Sequence, residues 1–88
     1  NLAEPAYKMN KEVYFSRGWL KFNLSDYSSS KMDFERVIFL DEKYAEAHYF
    51  IGCCEHLLGF PELACKKWYI AKELGNAKAS EILYQKCK

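Results

Sequence analysis

The sequence has no long apolar run and no block of like charges. The roughly 20 consecutive apolar residues of a membrane-spanning helix are missing, and so is the apolar segment of a secretory signal. Its 13 basic and 12 acidic residues are scattered along the chain, so neither nucleic acid nor an anionic membrane surface is an expected partner. The chain starts at Asn1 without a methionine, and we read it as an excerpt or a processed product.

The sequence motifs of common enzymes are absent as well. There is no glycine-rich phosphate loop, no pair of carboxylates at catalytic spacing and no nucleophile elbow. We therefore expect neither catalysis nor a cofactor. A hydrophobic content of 50% with 17% aromatics is too high for a disordered chain. The 88 residues should instead form one small folded domain.

What the sequence does contain is an internal repeat with a period of about 34 residues. Apolar class is kept along with identity, because the same shift places Phe34 on Trp68. Glycine recurs once per unit in the same place. The superimposed identities are Glu12 on Glu46, Gly18 on Gly52, Leu24 on Leu58, Leu40 on Leu74 and Ala45 on Ala79.

Each unit predicts two helices, because its apolar residues recur near the helical period and the alternation of a strand is absent. A fifth helix, "AKASEILYQKCK", closes the series. The first helix of the chain would bury one apolar stripe against the second. That stripe runs through Tyr14 and Gly18, within a helical pattern formed by Val13, Tyr14, Gly18, Leu20 and Leu24.

The breaks between helices carry turn and capping residues. In "NLSDY" Ser25 can cap a helix, while in "LGFPE" Gly59 can take positive φ and Pro61 stands where a helix begins. Between the units Asp41 can cap the third helix, and Gly75 with the following asparagine stops the fourth. These short breaks predict tight antiparallel turns.

The stretches "YFSRGWLKFNLSDY" with "MDFERVIFLDEKYAEA", and "HYFIGCCEHLLGFPELACKKWYIAKELGN", resemble the tetratricopeptide repeat (TPR) family. The ending also resembles the closing unit of short repeat proteins from Bacteroidetes-like bacteria. The resemblance implies an all-α, right-handed α-solenoid. It assigns repeat 1 to residues 11–44, repeat 2 to 45–76 and a capping helix to 77–88. Residues 1–10 would be a tail or the start of the first helix.

The resemblance also implies a binding groove, because a second aromatic stripe on the first helix lies where the family exposes its concave surface. Phe15, Trp19 and Phe22 form this stripe, and large rings are typical anchors for a bound peptide. We therefore expect a non-catalytic module that binds a protein or peptide. The predicted groove residues are Glu12, Phe15, Trp19, Phe22, Asn23, Glu46, Tyr49, Cys53 and His56.

A structural role is the main alternative for the same rings. They could pack against a preceding repeat, against Leu2 and Tyr7 of the N-terminal segment, or against a second copy of the chain, which would make a homo-oligomer. A small-molecule site is a third interpretation of the rings.

We also expect Arg17 to pair with a carboxylate such as Asp33.

The four cysteines leave the redox compartment open. Cys65 and Cys87 lie at equal distances on either side of the turn at Asn76, so antiparallel helices would bring them together. A disulfide would then clip the last helix in a periplasmic or secreted protein, whereas two free thiols would suit the cytoplasm. Cys53 with His56 supplies only two ligands at helical spacing, and we expect no metal site.

Overall fold

All regular structure in the described part of the chain is helical. The computed structural model describes residues 10–87. The helices are α1 Lys11–Asn23, α2 Tyr27–Leu40, α3 Ala45–Leu57, α4 Pro61–Glu73 and α5 Ala77–Lys86. The all-α prediction is thereby confirmed. The predicted N-terminal segment lies outside the described residues except for Asn10. Within residues 10–87 no helix is both long and apolar enough to cross a bilayer.

The turn between α1 and α2 is built differently from the prediction. Ser25 does not cap α2; it has a φ of 65° and turns the chain after α1. The cap is Asp26, whose carboxylate accepts a hydrogen bond from the Ser29 amide at 3.4 Å. A carboxylate at this position satisfies one of the free amides of the first turn.

The later breaks follow the prediction at three of four positions. Gly59 has a φ of 96°, Pro61 is the first residue of α4, and Gly75, with a φ of 99°, follows the end of α4. Asn76, which was predicted only to help end α4, also caps α5 by accepting from the Ala79 amide at 2.8 Å. The prediction for Asp41 was wrong. Its side chain binds Lys11 Nζ at 2.7 Å and the Lys43 amide, and α3 begins after Tyr44 without a side-chain cap.

The arrangement is helical and repeat-like. The interval from Lys11 to Ala45, where α1 and α3 begin, equals that from Tyr27 to Pro61, where α2 and α4 begin. Helix α5 starts two residues earlier than this interval would place it. Ala79 is accordingly fully buried like Ala47, whereas Ala45 is only half-buried. In the structure Ala79 therefore corresponds to Ala47, and not to Ala45 as the 34-residue shift of the sequence had paired it.

Helices that are neighbours in the chain pack on one another, α1 with α2, α2 with α3, α3 with α4 and α4 with α5. One buried cluster lies among α1, α2 and α3, around Phe34 and Ile51; the other lies among α3, α4 and α5, around Trp68. Of the predicted packing stripe of α1, Gly18 is buried and Tyr14 is half-buried, whereas Val13 and Leu20 of the same apolar pattern are exposed. Leu24 is exposed too.

The two recurring glycines allow close helix contact, as predicted. A Cβ on Gly18 would lie 3.1 Å from the Phe34 ring, and one on Gly52 would lie 2.5 Å from Trp68 Nε1. That indole nitrogen donates a hydrogen bond to the Tyr49 carbonyl at 3.0 Å. Each glycine therefore leaves room for an aromatic ring from the following helix, at a helix-propensity cost of about 1 kcal/mol that packing must offset.

Helix α5 is held at both ends. The three-residue turn after α4 precedes it, and a disulfide between Cys65 and Cys87 joins its C-terminal end to the first half of α4, with the two Cα atoms 5.9 Å apart. The structure thus contains the bridged form of the two alternatives left open by the sequence. Ala79 is fully buried under this clip, and Ile82 and Leu83 are half-buried.

Candidate binding face

Helices α1, α3 and α5 lie side by side, with the Phe50 region of α3 in the middle. The Phe50 ring contacts Phe15 and Phe22 of α1 at centroid distances of 5.8 and 5.5 Å. On the other side, Tyr49 shares depressions with residues of α5. We call this surface the binding face and define it by Glu12, Phe15, Trp19, Glu46, Tyr49, Phe50, Lys78, Glu81, Ile82 and Gln85.

Trp19 is the most exposed ring among the predicted groove residues. Its exposed fraction is 48%, and it lines a depression of about 280 Å³ together with Phe15, Ser16 and Leu20. The Asn23 side-chain amide donates to the Trp19 carbonyl at 2.8 Å, so Asn23 ties down the end of the helix beneath the ring. The indole is thus presented to solvent from a regular helical turn.

Phe15 and Phe22 are half-buried against rings of their own chain. Phe15 contacts Phe34 and Tyr44 as well as Phe50, each at a centroid distance below 6 Å. Phe22 contacts Tyr27 at 5.4 Å. These edge and tilted contacts belong to the first buried cluster. Both rings therefore belong mainly to the core beneath the binding face, and each exposes a smaller fraction of its surface than Trp19 does.

Two adjoining depressions lie between α3 and α5. One, of about 230 Å³, is lined by Glu46, Tyr49 and Lys78 with the start of α5. The other, of about 340 Å³, adds Glu81, Ile82 and Gln85. Burial raises the pKa of Tyr49 to about 12, with Cys53 and Glu81 adding to the effect. The phenol is therefore neutral across the physiological range and can donate or accept a hydrogen bond.

Cys53 and His56, also predicted for the groove, face the second buried cluster. The His56 ring lies 5.7 Å from the Trp68 ring, and both His56 and Cys53 are half-buried. Burial raises the pKa of Cys53 against the opposing effect of hydrogen bonds with Tyr49 and Trp68. These two side chains support the position of Trp68 behind the face, whereas Glu12 and Glu46 are exposed.

Sequence reasoning missed Phe50 and all of the α5 contribution. Phe50 falls on Ser16 under the repeat shift, so the repeat itself gave no sign that this position carries a central ring. Lys78 and Glu81 were predicted only to belong to the closing helix, because the sequence does not show which surface residues of a terminal helix face its neighbour. A helical wheel of α5 aligned on Ala79, which shares burial with Ala47, would have placed them beside Tyr49.

A larger depression, of about 460 Å³, lies on the opposite side of the first hairpin, lined by Tyr14, Arg17 and Asp33 with residues of α2. Arg17 binds buried Asp33 through two hydrogen bonds of 2.9 and 2.8 Å, as predicted, and Lys21 approaches the same carboxylate at 3.1 Å. Burial opposes ionisation of Asp33, but the Arg17 and Lys21 hydrogen bonds outweigh it and lower its pKa. The charged groups here already satisfy one another.

Thiol and imidazole groups in the described residues have structural contacts. The Cys54 thiol donates to Ser30 Oγ at 3.6 Å, and burial raises its pKa to about 11, so it stays protonated and weakly nucleophilic at neutral pH. His48 Nε2 lies 2.8 Å from the Glu42 carbonyl. Across residues 10–87 no group of three or more His, Cys, Asp or Glu side chains is placed to hold a metal ion.

Comparison with known proteins adds no relative. No protein-family model matches the chain, and no curated protein matches it.

Proposed function

We propose that this chain is a non-catalytic interaction module that binds a segment of another polypeptide on the binding face. In this proposal α1–α2 and α3–α4 are two TPR-like helix-turn-helix repeats, α5 is the closing helix, and the stack is a right-handed α-solenoid. The equal spacing of helix starts and the recurring glycine-to-ring contacts support that reading. Repeats of this kind use extended surfaces for recognition.

The exposure of Trp19 is the observation that carries the proposal. The residue is 48% exposed, whereas Phe15 and Phe22 of the same helix are half-buried against other rings of the chain. Burying a ring of this size contributes strongly to association, and tryptophan is enriched among the residues that dominate binding energy. The depressions beside Tyr49 continue the surface toward α5, giving a partner segment two places for apolar side chains.

A matched pair of variants tests the proposal. Peptides of about 12 residues are selected by phage display on the immobilised full chain, and their affinities are measured by fluorescence anisotropy. We expect Trp19→Ala to weaken binding at least tenfold, because its ring is the main anchor. Tyr69→Ala, which removes from α4 an aromatic residue that is 55% exposed, should leave affinity unchanged. Equal losses in both variants, or none in Trp19→Ala, would contradict the proposal.

Self-association is a second candidate, favoured by the exposed apolar side chains next to Trp19. Leu20 and Leu24 are 58% and 78% exposed on α1, so a second copy could cover them together with the ring. Sedimentation velocity over a range of concentrations distinguishes the two candidates. A dimer that resists dilution in the native chain and disappears in Trp19→Asp would support self-association. A monomer at all concentrations would exclude it.

A further inference from the structure

The carboxylates of the binding face lack the ion pairs that buried or partly buried acids have elsewhere. Asp33 is paired with Arg17, Asp41 with Lys11, and Glu55 with Lys31 at 3.2 Å. By contrast, Glu12, Glu46 and Glu81 are exposed and have no cation within 4.0 Å among the described residues. One such carboxylate lies on each of α1, α3 and α5.

Each of these carboxylates affects a nearby tyrosine. Burial raises the pKa of Tyr44, and the charges of Glu46 and Glu12 raise it further. Glu81 has the same effect on Tyr49. The carboxylates therefore contribute negative potential at Tyr49, and at Tyr44 beside the face, where Lys11 opposes them. Neighbouring charges of one sign along a groove raise the local concentration of the opposite sign.

The positive groups near this face do not cancel that potential. Lys11 is engaged by Asp41 at 2.7 Å. Lys78 lines both α3–α5 depressions and is the one cation among the residues that define the face. His56 is turned toward the Trp68 ring. Three carboxylates against one lysine leave the face with a net negative charge, although the whole chain carries a formal net charge of +1.

We propose that the polypeptide segment bound by this face is cationic, with lysine or arginine side chains alternating with apolar ones. This inference rests on the proposed function, because it names the chemistry of the partner for the same surface. Apolar side chains of the segment occupy the depressions beside Trp19 and between Tyr49 and Ile82. Its cations lie against Glu12, Glu46 and Glu81, where opposite charge favours the correct partner and speeds encounter.

The arrangement of rings strengthens the preference for cations. Trp19 is 48% exposed on α1, and Tyr49 lines depressions together with Glu46 and Glu81. A guanidinium or ammonium group is attracted to an aromatic face within about 6 Å. An acidic segment of the same apolar pattern would bring like charges to all three helices. Like charges brought together at an interface disfavour the wrong partner. The face therefore discriminates by repulsion as well as by attraction.

A set of three synthetic peptides tests the inference. They have about 12 residues, one shared pattern of leucine and phenylalanine, and lysine, glutamine or glutamate at every remaining position. Anisotropy titrations use the full chain at about 20 mM and about 500 mM salt. We expect the lysine peptide to bind about tenfold tighter than the glutamine peptide at low salt, the glutamate peptide to bind weakest, and the differences to shrink at high salt.

Charge reversal on the protein supplies the control. Glu46→Lys should lower affinity for the lysine peptide by about threefold to fivefold and raise it for the glutamate peptide. Glu62→Lys reverses another exposed carboxylate, on α4 and outside the face, and should change neither affinity beyond the common salt effect. If both variants behave alike, general charge and not this face sets the preference, and the inference is overturned.

The outcomes separate the inference from the function beneath it. Equal affinity for the three peptides, still sensitive to Trp19→Ala, would overturn the cationic preference and leave polypeptide binding intact. A preference for the glutamate peptide would do the same. Failure of all three peptides to bind, together with failure of display selection to yield any peptide sensitive to Trp19→Ala, would overturn both.

Discussion

The two hairpins share a backbone plan and stabilise it by different contacts. In the first, Gly18 faces Phe34 and its carbonyl accepts a 2.7 Å hydrogen bond from Ser30 Oγ. In the second, Gly52 faces Trp68, alanine occupies the serine position, and the indole supplies the interhelical hydrogen bond instead. Both hairpins therefore combine a close contact between two helices with one hydrogen bond from a buried side-chain donor. The donor is serine in the first hairpin and tryptophan in the second.

The same comparison explains why one helix position is core in one hairpin and charged in the other. Ile51 of α3 is fully buried in the cluster that α2 helps to form, whereas its counterpart Arg17 of α1 is exposed and paired with Asp33. Helix α2 lies on one side of α3, and no helix of residues 10–87 lies at the corresponding place on α1. Position in the stack, and not the repeat pattern, determines whether this site is apolar.

Loss of the disulfide should have the largest effect, and it should be confined to the second hairpin and α5. Closing a loop of 22 residues stabilises by roughly 3 kcal/mol in the chain-entropy model. Cys87→Ser should lower the free energy of unfolding in urea by about this amount. Hydrogen exchange should accelerate in α5 first, because a helix this short is marginal alone. Uniform acceleration along the chain would contradict the assignment.

Replacing each of the two recurring glycines by alanine should have the next largest effect on stability, and the effect should differ between the hairpins. Gly52→Ala places a methyl group 2.5 Å from Trp68 Nε1 and should destabilise by about 2 kcal/mol, after the gain in helix propensity is included. Gly18→Ala meets the Phe34 ring at 3.1 Å and Asp33 Cβ at 3.2 Å, contacts that a shift of a few tenths of an ångström between the helices can relieve. Its net effect should stay within about 1 kcal/mol. Urea unfolding measures both, and a larger loss for Gly18→Ala would reverse the comparison.

Removing the charge of Asp33 should destabilise the first hairpin alone. Asp33→Asn leaves Arg17 and Lys21 without their carboxylate, and we expect a loss of about 1.5 kcal/mol, reduced by the solvent exposure of Arg17. The matched change Asp26→Asn retains a capping oxygen on an exposed residue and should cost only a few tenths. Equal losses in the two variants would argue against a special role for the ion pair.

The same carboxylate predicts a defined response to acid. Because the pKa of Asp33 is lower in the folded chain than in the unfolded one, its contribution is fully present above about pH 4. It is lost progressively as the pH falls below that value. Stability measured by urea unfolding from pH 6 to pH 2 should therefore decline more steeply in the native chain than in Asp33→Asn. Parallel curves for the two proteins would contradict this assignment.

The smallest effect is expected from a substitution that gives the first hairpin the alanine of the second. Ser30→Ala removes the hydrogen bond to the Gly18 carbonyl and the acceptor for the Cys54 thiol, and should cost about 1 kcal/mol. Ser28→Ala, on the exposed side of the same helix, should have no measurable cost. Thermal unfolding with both variants resolves the difference. A neutral Ser30→Ala would mean that helix packing alone holds the contact.

The sequence was sufficient for features that repeat and insufficient for those that do not. The helices and the roles of Gly18 and Gly52 could be predicted, because each depends on local periodicity or a recurring spacing. The pairing of Arg17 with Asp33 was also predicted, although Ile51 and Lys67 occupy these positions in the second hairpin. The exposure of Leu20 and the central place of Phe50 could not. Both depend on which neighbouring helix covers a given face, and apolar character alone does not encode that.

The capping errors have a similar physical cause. Serine and aspartate both favour turns and helix starts, so "LSD" offered two candidate caps and the sequence could not show that Ser25 would take the left-handed conformation. Asp41 was available as a cap, but Lys11 lies close enough in the fold to bind it. Nothing in the sequence indicated that Lys11 would bind Asp41, 30 residues away.

Backbone amide mapping by NMR tests the central claim most directly. The ¹⁵N-labelled full chain is titrated with a display-selected peptide whose affinity depends on Trp19. Our account predicts the largest chemical-shift changes along α1, α3 and α5, at Trp19, Tyr49 and Glu81, with little change at Tyr69 of α4. Changes centred on Arg17, Met32 and Phe39, on the other side of the first hairpin, would contradict it.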